Sequence, residues 1–162
     1  MFRSGGGLSC AALLLLLPLV SIPPRSATAE DLVATLADGS EIARLDVPEG
    51  SGWCVLWHHS VQGFEVSDCY ENSAGHMVLA WSHLPDFAAG LDHIPGRGRQ
   101  VSDGQGGYFI LEIDEPVPGD AYVLRPGVGM VDHRLQVGDT VVSLSAIAPR
   151  ERVRIALVRD ED

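Results

Sequence analysis

Lysine is missing from this 162-residue chain, so eleven arginines alone stand against 22 acidic residues. A surface so short of positive charge repels phosphate backbones and anionic lipid, which argues against nucleic acid as a partner. It leaves a solvated acidic exterior, or a cationic partner or metal ion, as the readings of that charge. Long apolar runs are missing too. The richest stretch, Leu8–Val20, falls short of the roughly 20 residues that a spanning helix needs. Helical periodicity is nowhere sustained over about eleven residues, which excludes a helical bundle. Gly-x-x-x-x-Gly-Lys and His-Glu-x-x-His are both absent, so neither a phosphate-binding loop nor a metalloprotease helix is indicated. "GRGRQVSDGQGGY" is rich in glycine but no helix follows it, and a loop is the reading. Glu112, Asp114 and Glu115 cluster beside Pro116, where a solvated turn is expected rather than an acid–base pair.

What is present begins with an address. Arg3 precedes the apolar run, and Ala27-Thr28-Ala29 supplies a small-x-small pattern, so residues 1–29 read as a secretory signal peptide cleaved before Glu30. The expected product is periplasmic or otherwise exported, without stable membrane insertion. It would keep 133 residues, enough for one compact core. Its nine arginines and 22 acids give a formal charge of −13.

Residues 30–162 read as a single all-β domain. Apolar stretches are short, often alternating, and bounded by Gly, Asp, Asn or Pro. Leu32–Leu36 and Glu41–Val47 form a hairpin turning at Asp38-Gly39. "WCVLWHHSV" is apolar on both faces and therefore central. "EVSDCYENSAGHMVLAWS" gives two strands joined around Asn72–Gly75, and "GGYFILEI", "AYVLR", "HRLQV", "TVVSLSAI" and "RVRIALV" supply five more. An antiparallel β-sandwich or partly open barrel of about ten short strands accommodates them. From His83 to Gln100 lies a long segment without strand pattern and with one brief helical stretch, Phe87–Leu91; loops of this length are often functional.

Removal of the leader takes Cys10 and leaves Cys54 and Cys69, which an oxidising compartment would pair. Register leaves the pairing open. A hairpin centred on Gln62-Gly63 makes the two cysteines diagonal neighbours, about 7–8 Å apart, which is long for a bridge. Direct opposition would centre the turn on Val61-Gln62, which is poor turn chemistry.

His58 and His59 sit side by side. On a strand they face opposite ways, so they cannot share one metal without a bulge. Alternation puts His59 with Trp53, Val55 and Trp57, where a hydrogen-bonded core histidine is expected. A metal site assembled across strands from His58 or His59, Asp68, His76, His83, His93 and His133 is the alternative, without the spacing of a recognised site.

His59-Ser60-Val61 followed by Asp68, "DFAAGLD" at 86–92, "YVLRPGVG" and "DHRLQVGD" together resemble segments of a bacterial family called domain of unknown function 1850. The resemblance runs from about Trp53 to Val158. Departures from the family pattern fall at Gln62, Phe64-Glu65 and Asp92. The resemblance implies a small exported or membrane-anchored protein, often encoded beside tripartite ATP-independent periplasmic (TRAP) transporters of the TAXI type, with an accessory role in solute uptake. It places a binding site at His59, Ser60, Asp68 and His133, with Arg125 as an anion or carboxylate contact. In that site Asp68 orients the two histidines and Ser60 is a secondary polar contact on the other face. The expectation is a binding or accessory module without catalytic activity or cofactor, its partner a TRAP transporter subunit or solute-binding protein. A periplasmic metal-binding protein or metal-dependent enzyme using the histidines, and a structural envelope module, are the competing readings.

Overall fold

A computed structural model of the chain describes Met1, residues 30–86 and residues 94–159. The expected leader, the helical stretch at Phe87–Leu91, His93 and all but Asp86 of the "DFAAGLD" motif lie outside the described residues. Twelve strands occur among those described. They form two antiparallel sheets that pack face to face, and neither sheet closes into a barrel. The sandwich is therefore the correct member of the expected pair.

The narrow sheet has the order β2-β1-β12-β9, from Glu41–Asp46, Glu30–Thr35, Val153–Arg159 and Ala121–Leu124. The wide sheet runs β11-β10-β3-β4-β5-β7-β6. Its strands are Thr140–Ser143, Arg134–Val137, Gly52–His58, Glu65–Ser73, His76–Leu84, Tyr108–Leu111 and Arg99–Ser102. A two-residue strand, β8 at Glu115–Pro116, pairs beside β5. β6 and β8 carry no apolar alternation and were not expected. "TVVSLSAI" is not one strand: β11 stops at Ser143, whose hydroxyl accepts the Ala146 N–H and caps a one-turn helix, α1, at Leu144–Ile147.

The turns follow their residues. Gly39 takes φ 87° in the β1–β2 hairpin, and Asp38 accepts both the N–H and the hydroxyl of Ser40. Ala74 and Gly75 both have positive φ in the β4–β5 hairpin, as a two-residue hairpin turn requires.

The β3–β4 connection resolves the cysteine question. Cys54 lies directly opposite Cys69, with 4.0 Å between Cα atoms, and the two are bonded. Neither two-residue turn forms. Ser60–Gly63 makes a four-residue loop, closed by His59 N–H to Phe64 O and Gly63 N–H to His59 O, each 2.8 Å. Gly63 supplies the positive φ that the loop needs, so Val61 and Gln62 meet no special demand.

Two apolar clusters fill the interior. In the larger, Leu32, Ala34, Val153, Ile155 and Leu157 of the narrow sheet meet Trp53, Val55, Met77 and Leu135 of the wide one. The wide sheet extends past its partner, and there Val66, Leu79, Leu84, Tyr108, Ile110 and Ile113 form a second cluster. Trp57 and Tyr70 touch both. The seam between the clusters is where polar side chains reach the inner face.

Candidate functional site

Alternation along β4 turns Val66, Asp68 and Tyr70 to the inner face, and Ser82 stands opposite Asp68 on β5. The Ser82 hydroxyl donates to Asp68 Oδ1 at 2.5 Å. Around this pair lies a cavity of about 210 Å³, lined by Trp57, Val66, Leu84 and Ile110 and, from the segment before β6, by Arg97. Arg97 Nε donates to Glu115 Oε2 at 2.8 Å. Glu115 also lines a neighbouring cavity with Tyr70 and Tyr122.

Burial pushes the Asp68 carboxyl above the usual carboxylate range; the Ser82 hydroxyl and the Arg97 charge pull it part of the way back. Tyr70 is pushed up to about 12, chiefly by burial and then by the charge of Asp68. Tyr70 stacks between Trp53 and Tyr122, at 5.5 and 5.2 Å between ring centroids. This aromatic column forms a rigid flank. The Trp53 indole N–H and the Tyr122 hydroxyl are both buried and form no hydrogen bond within accepted geometry, although the indole draws the phenol's strongly raised pKa downward. The two groups are close neighbours short of a hydrogen bond.

Of the residues expected in the site, Asp68 lies in it and His133 borders it. The His133 ring stacks on Trp57 at 6.2 Å, on a side chain that itself lines the cavity. Its Nδ1 accepts the Gly127 N–H at 3.0 Å, and burial lowers its pKa more than the nearby Asp132 raises it. The other three lie elsewhere. β3 ends at His58, so alternation does not carry His59 onto the face of Trp53, Val55 and Trp57. His59 Nδ1 instead accepts the Gln62 N–H at 3.2 Å, and its ring stacks on Phe64. Its partner is its own loop, and that of Asp68 is Ser82. Ser60 is exposed in the same loop. Arg125 is exposed and donates to the Arg150 carbonyl at 3.3 Å.

Among the described residues no three His, Cys, Asp or Glu side chains converge as a metal-ligand set. His76 faces Asp120, and His83 faces Asp103.

Sequence reasoning did not find Ser82, Arg97 or Trp57. A polar residue at a core-facing position of β5 was a legible signal for Ser82. Arg97, in a segment without periodicity, offered none.

A family model described as Domain of unknown function (DUF1850) matches residues 54–144, more than half of the chain. The chain belongs to this family. No curated protein and no solved structure matches it. The matched stretch of the DUF1850 domain holds the described residues that line the cavity, Trp57, Asp68, Ser82, Arg97 and Ile110 among them, and His133 at its border. Strands β1, β2 and β12, which build most of the narrow sheet, fall outside it. Among the described residues no helix is long and apolar enough to cross a membrane.

Proposed function

We propose that this DUF1850 domain is an exported, non-catalytic binding module that holds a small molecule in the cavity of its second cluster, beside Trp57. In this reading it serves solute uptake as an accessory to a TAXI-type TRAP transporter. The observation that carries the binding function is the Asp68–Ser82 pair, a desolvated carboxyl and a hydroxyl opening onto a cavity that Arg97 also lines. Convergent polar groups on apolar walls are the general form of a ligand site. Binding is favoured over catalysis because the adjacent imidazole, His133, lies against Trp57 with Nδ1 already occupied by Gly127. The Cys54–Cys69 bond accords with an oxidising compartment, as does the signal-like segment at residues 1–29.

Two measurements test the reading. Screening small metabolites by thermal shift should find compounds that raise the melting temperature of the wild-type protein and lose that effect in Asp68→Asn. Cross-linking in the envelope should capture a TRAP membrane subunit or its solute-binding protein. A wild-type protein and D68N variant that respond alike to every compound would sink the binding reading. Cross-links confined to unrelated envelope proteins would remove the transporter role.

A further inference from the structure

Alternation sends half of the wide sheet's side chains away from the narrow sheet, where no second sheet of the described residues covers them. Strand pairing sets these residues in rows. Gln136, Cys54, Cys69 and Trp81 form one row, and Leu56, Ser67, His83 and Phe109 lie along the next. A groove of about 470 Å³ lies over this face, from Gln136 and Gly138 on one side to Trp81 on the other. It crosses β10, β3, β4 and β5, or roughly 14 Å at the usual spacing between strands. Its floor is Leu56 and the Cys54–Cys69 bond, which ties the two central strands together. Glu65, Ser67 and Gln136 supply polar groups. Arg134 holds Glu65 through Oε2, and Gln136 Nε2 donates to the Gly138 carbonyl at 3.1 Å, so both planar groups are oriented. Trp81 meets Phe109 edge-on at 6.0 Å between ring centroids, and Phe109 stacks on His83 at 4.4 Å. These rings brace the indole from the side away from the groove.

We infer that this groove is a second site, on the opposite face of the sheet from Asp68, and that it binds a neutral oligosaccharide. One sugar ring lies with its C–H face on the Trp81 indole, and the hydroxyls of that ring and the next reach Glu65, Ser67 and Gln136. The chemistry of the lining selects this class. An indole face is apolar and electron-rich, and it attracts the weakly positive C–H groups of a pyranose. A carboxylate accepts from neighbouring hydroxyls, an amide donates and accepts, and a serine hydroxyl does either. That mixture suits a ligand whose every hydroxyl is both donor and acceptor. A lipid chain would leave the three polar groups without partners. A peptide gains little on the face of a sheet, because only sheet edges offer it free backbone groups. Anionic ligands meet Glu65 and a chain of net charge −11. The volume falls within the roughly 300–1,000 Å³ of ligand sites.

The experiment titrates the oxidised protein with three neutral hexasaccharides (cellohexaose, maltohexaose and N-acetylchitohexaose) and with the anionic hexagalacturonate, by calorimetry and NMR shift mapping. At least one neutral sugar should bind saturably, about tenfold or more tighter than hexagalacturonate. Its shifts should centre on Ser67, Trp81 and Gln136. Trp81→Ala should weaken it about tenfold or more, as loss of an aromatic anchor does. Gln136→Ala, outside both apolar clusters, should weaken it about threefold or more through a lost hydrogen bond. Asp68→Asn, on the other face, should leave it unchanged. Because the sugar comparison and the shift map use the wild-type protein alone, a W81A variant that fails to fold does not decide the outcome. Absence of saturable binding by all three neutral sugars overturns the proposal. So does hexagalacturonate binding as tightly as the best of them, a shift map centred on Trp57 and Ser82, or a folded W81A variant of unchanged affinity. Each of these results leaves the small-molecule reading of the Asp68 cavity to its own comparison with D68N.

Discussion

At residue scale, Asp68 separates stability from function. Desolvation is the largest influence on its carboxyl and raises the folded pKa above the usual 3.8. The folded state therefore holds the proton more readily than the unfolded chain. The cost of ionised Asp68 is fully present above the folded pKa and disappears as pH falls below the unfolded value. Asp68→Asn keeps an oxygen to accept from Ser82 and removes the charge. It should melt higher than wild type at pH 7, and the gain should shrink as the pH approaches 4. Thermal unfolding at the two pH values checks this; a D68N variant that melts lower at pH 7 would mean that the Ser82 and Arg97 contacts outweigh the burial. Groups kept at a stability cost are characteristic of functional sites. The inward position of Asp68 was legible from the alternation of Val66, Asp68 and Tyr70. Its partner was not, because the pairing with Ser82 depends on a β4–β5 register that includes a bulge between Cys69 and Tyr70.

At the scale of elements, the β3–β4 hairpin shows how local chemistry and pairing compete. Turn preferences favoured Gln62-Gly63 as the centre, yet the observed register places Cys54 on Cys69 and aligns Trp57 with Val66 and Val55 with Asp68. A four-residue loop absorbs the difference, since loop closure costs little more for two additional residues. The bond between the cysteines closes a sequence separation of 15, for which chain entropy gives about 3 kcal/mol. The Cys54→Ser/Cys69→Ser double variant should lose stability of that order in urea titration. A loss below about 0.5 kcal/mol would show that the sheet alone holds this register. Elsewhere the elements followed their residues closely, as in the Ala74-Gly75 turn. The short strands β6 and β8 did not. They form because neighbours offer them backbone partners, and edge residues need no apolar alternation to accept them.

At the scale of the whole molecule, charge and sheet width matter most. Eleven arginines against 22 acids give the chain a net charge of −11, and several of the arginines stand in exposed ion pairs such as Arg44–Glu41 and Arg99–Glu112. Such pairs contribute little singly, so repulsion among the unpaired acids dominates the surface. Raising salt from about 10 to 100 mM, which shortens the screening length from roughly 30 to 10 Å, should raise the melting temperature. A fall would mean that the arginine pairs carry more of the stability than their exposure suggests. The unequal sheets set the site. Because the wide sheet outruns the narrow one, its inner face passes from a core shared between sheets to a cluster of its own, and the cavity opens in that second cluster beside Trp57, which touches both. Composition and periodicity by themselves determined the all-β class and most turn positions, and short motifs carried the resemblance to the family, because these depend on side chains within a few residues of one another. Only the tertiary structure decided the sandwich over the barrel, the Cys54–Cys69 register, and the replacement of His59 and Ser60 by Ser82, Arg97 and Trp57 around Asp68. Those depend on which strands pair and how far one sheet overhangs the other, and such contacts join residues that no local pattern relates.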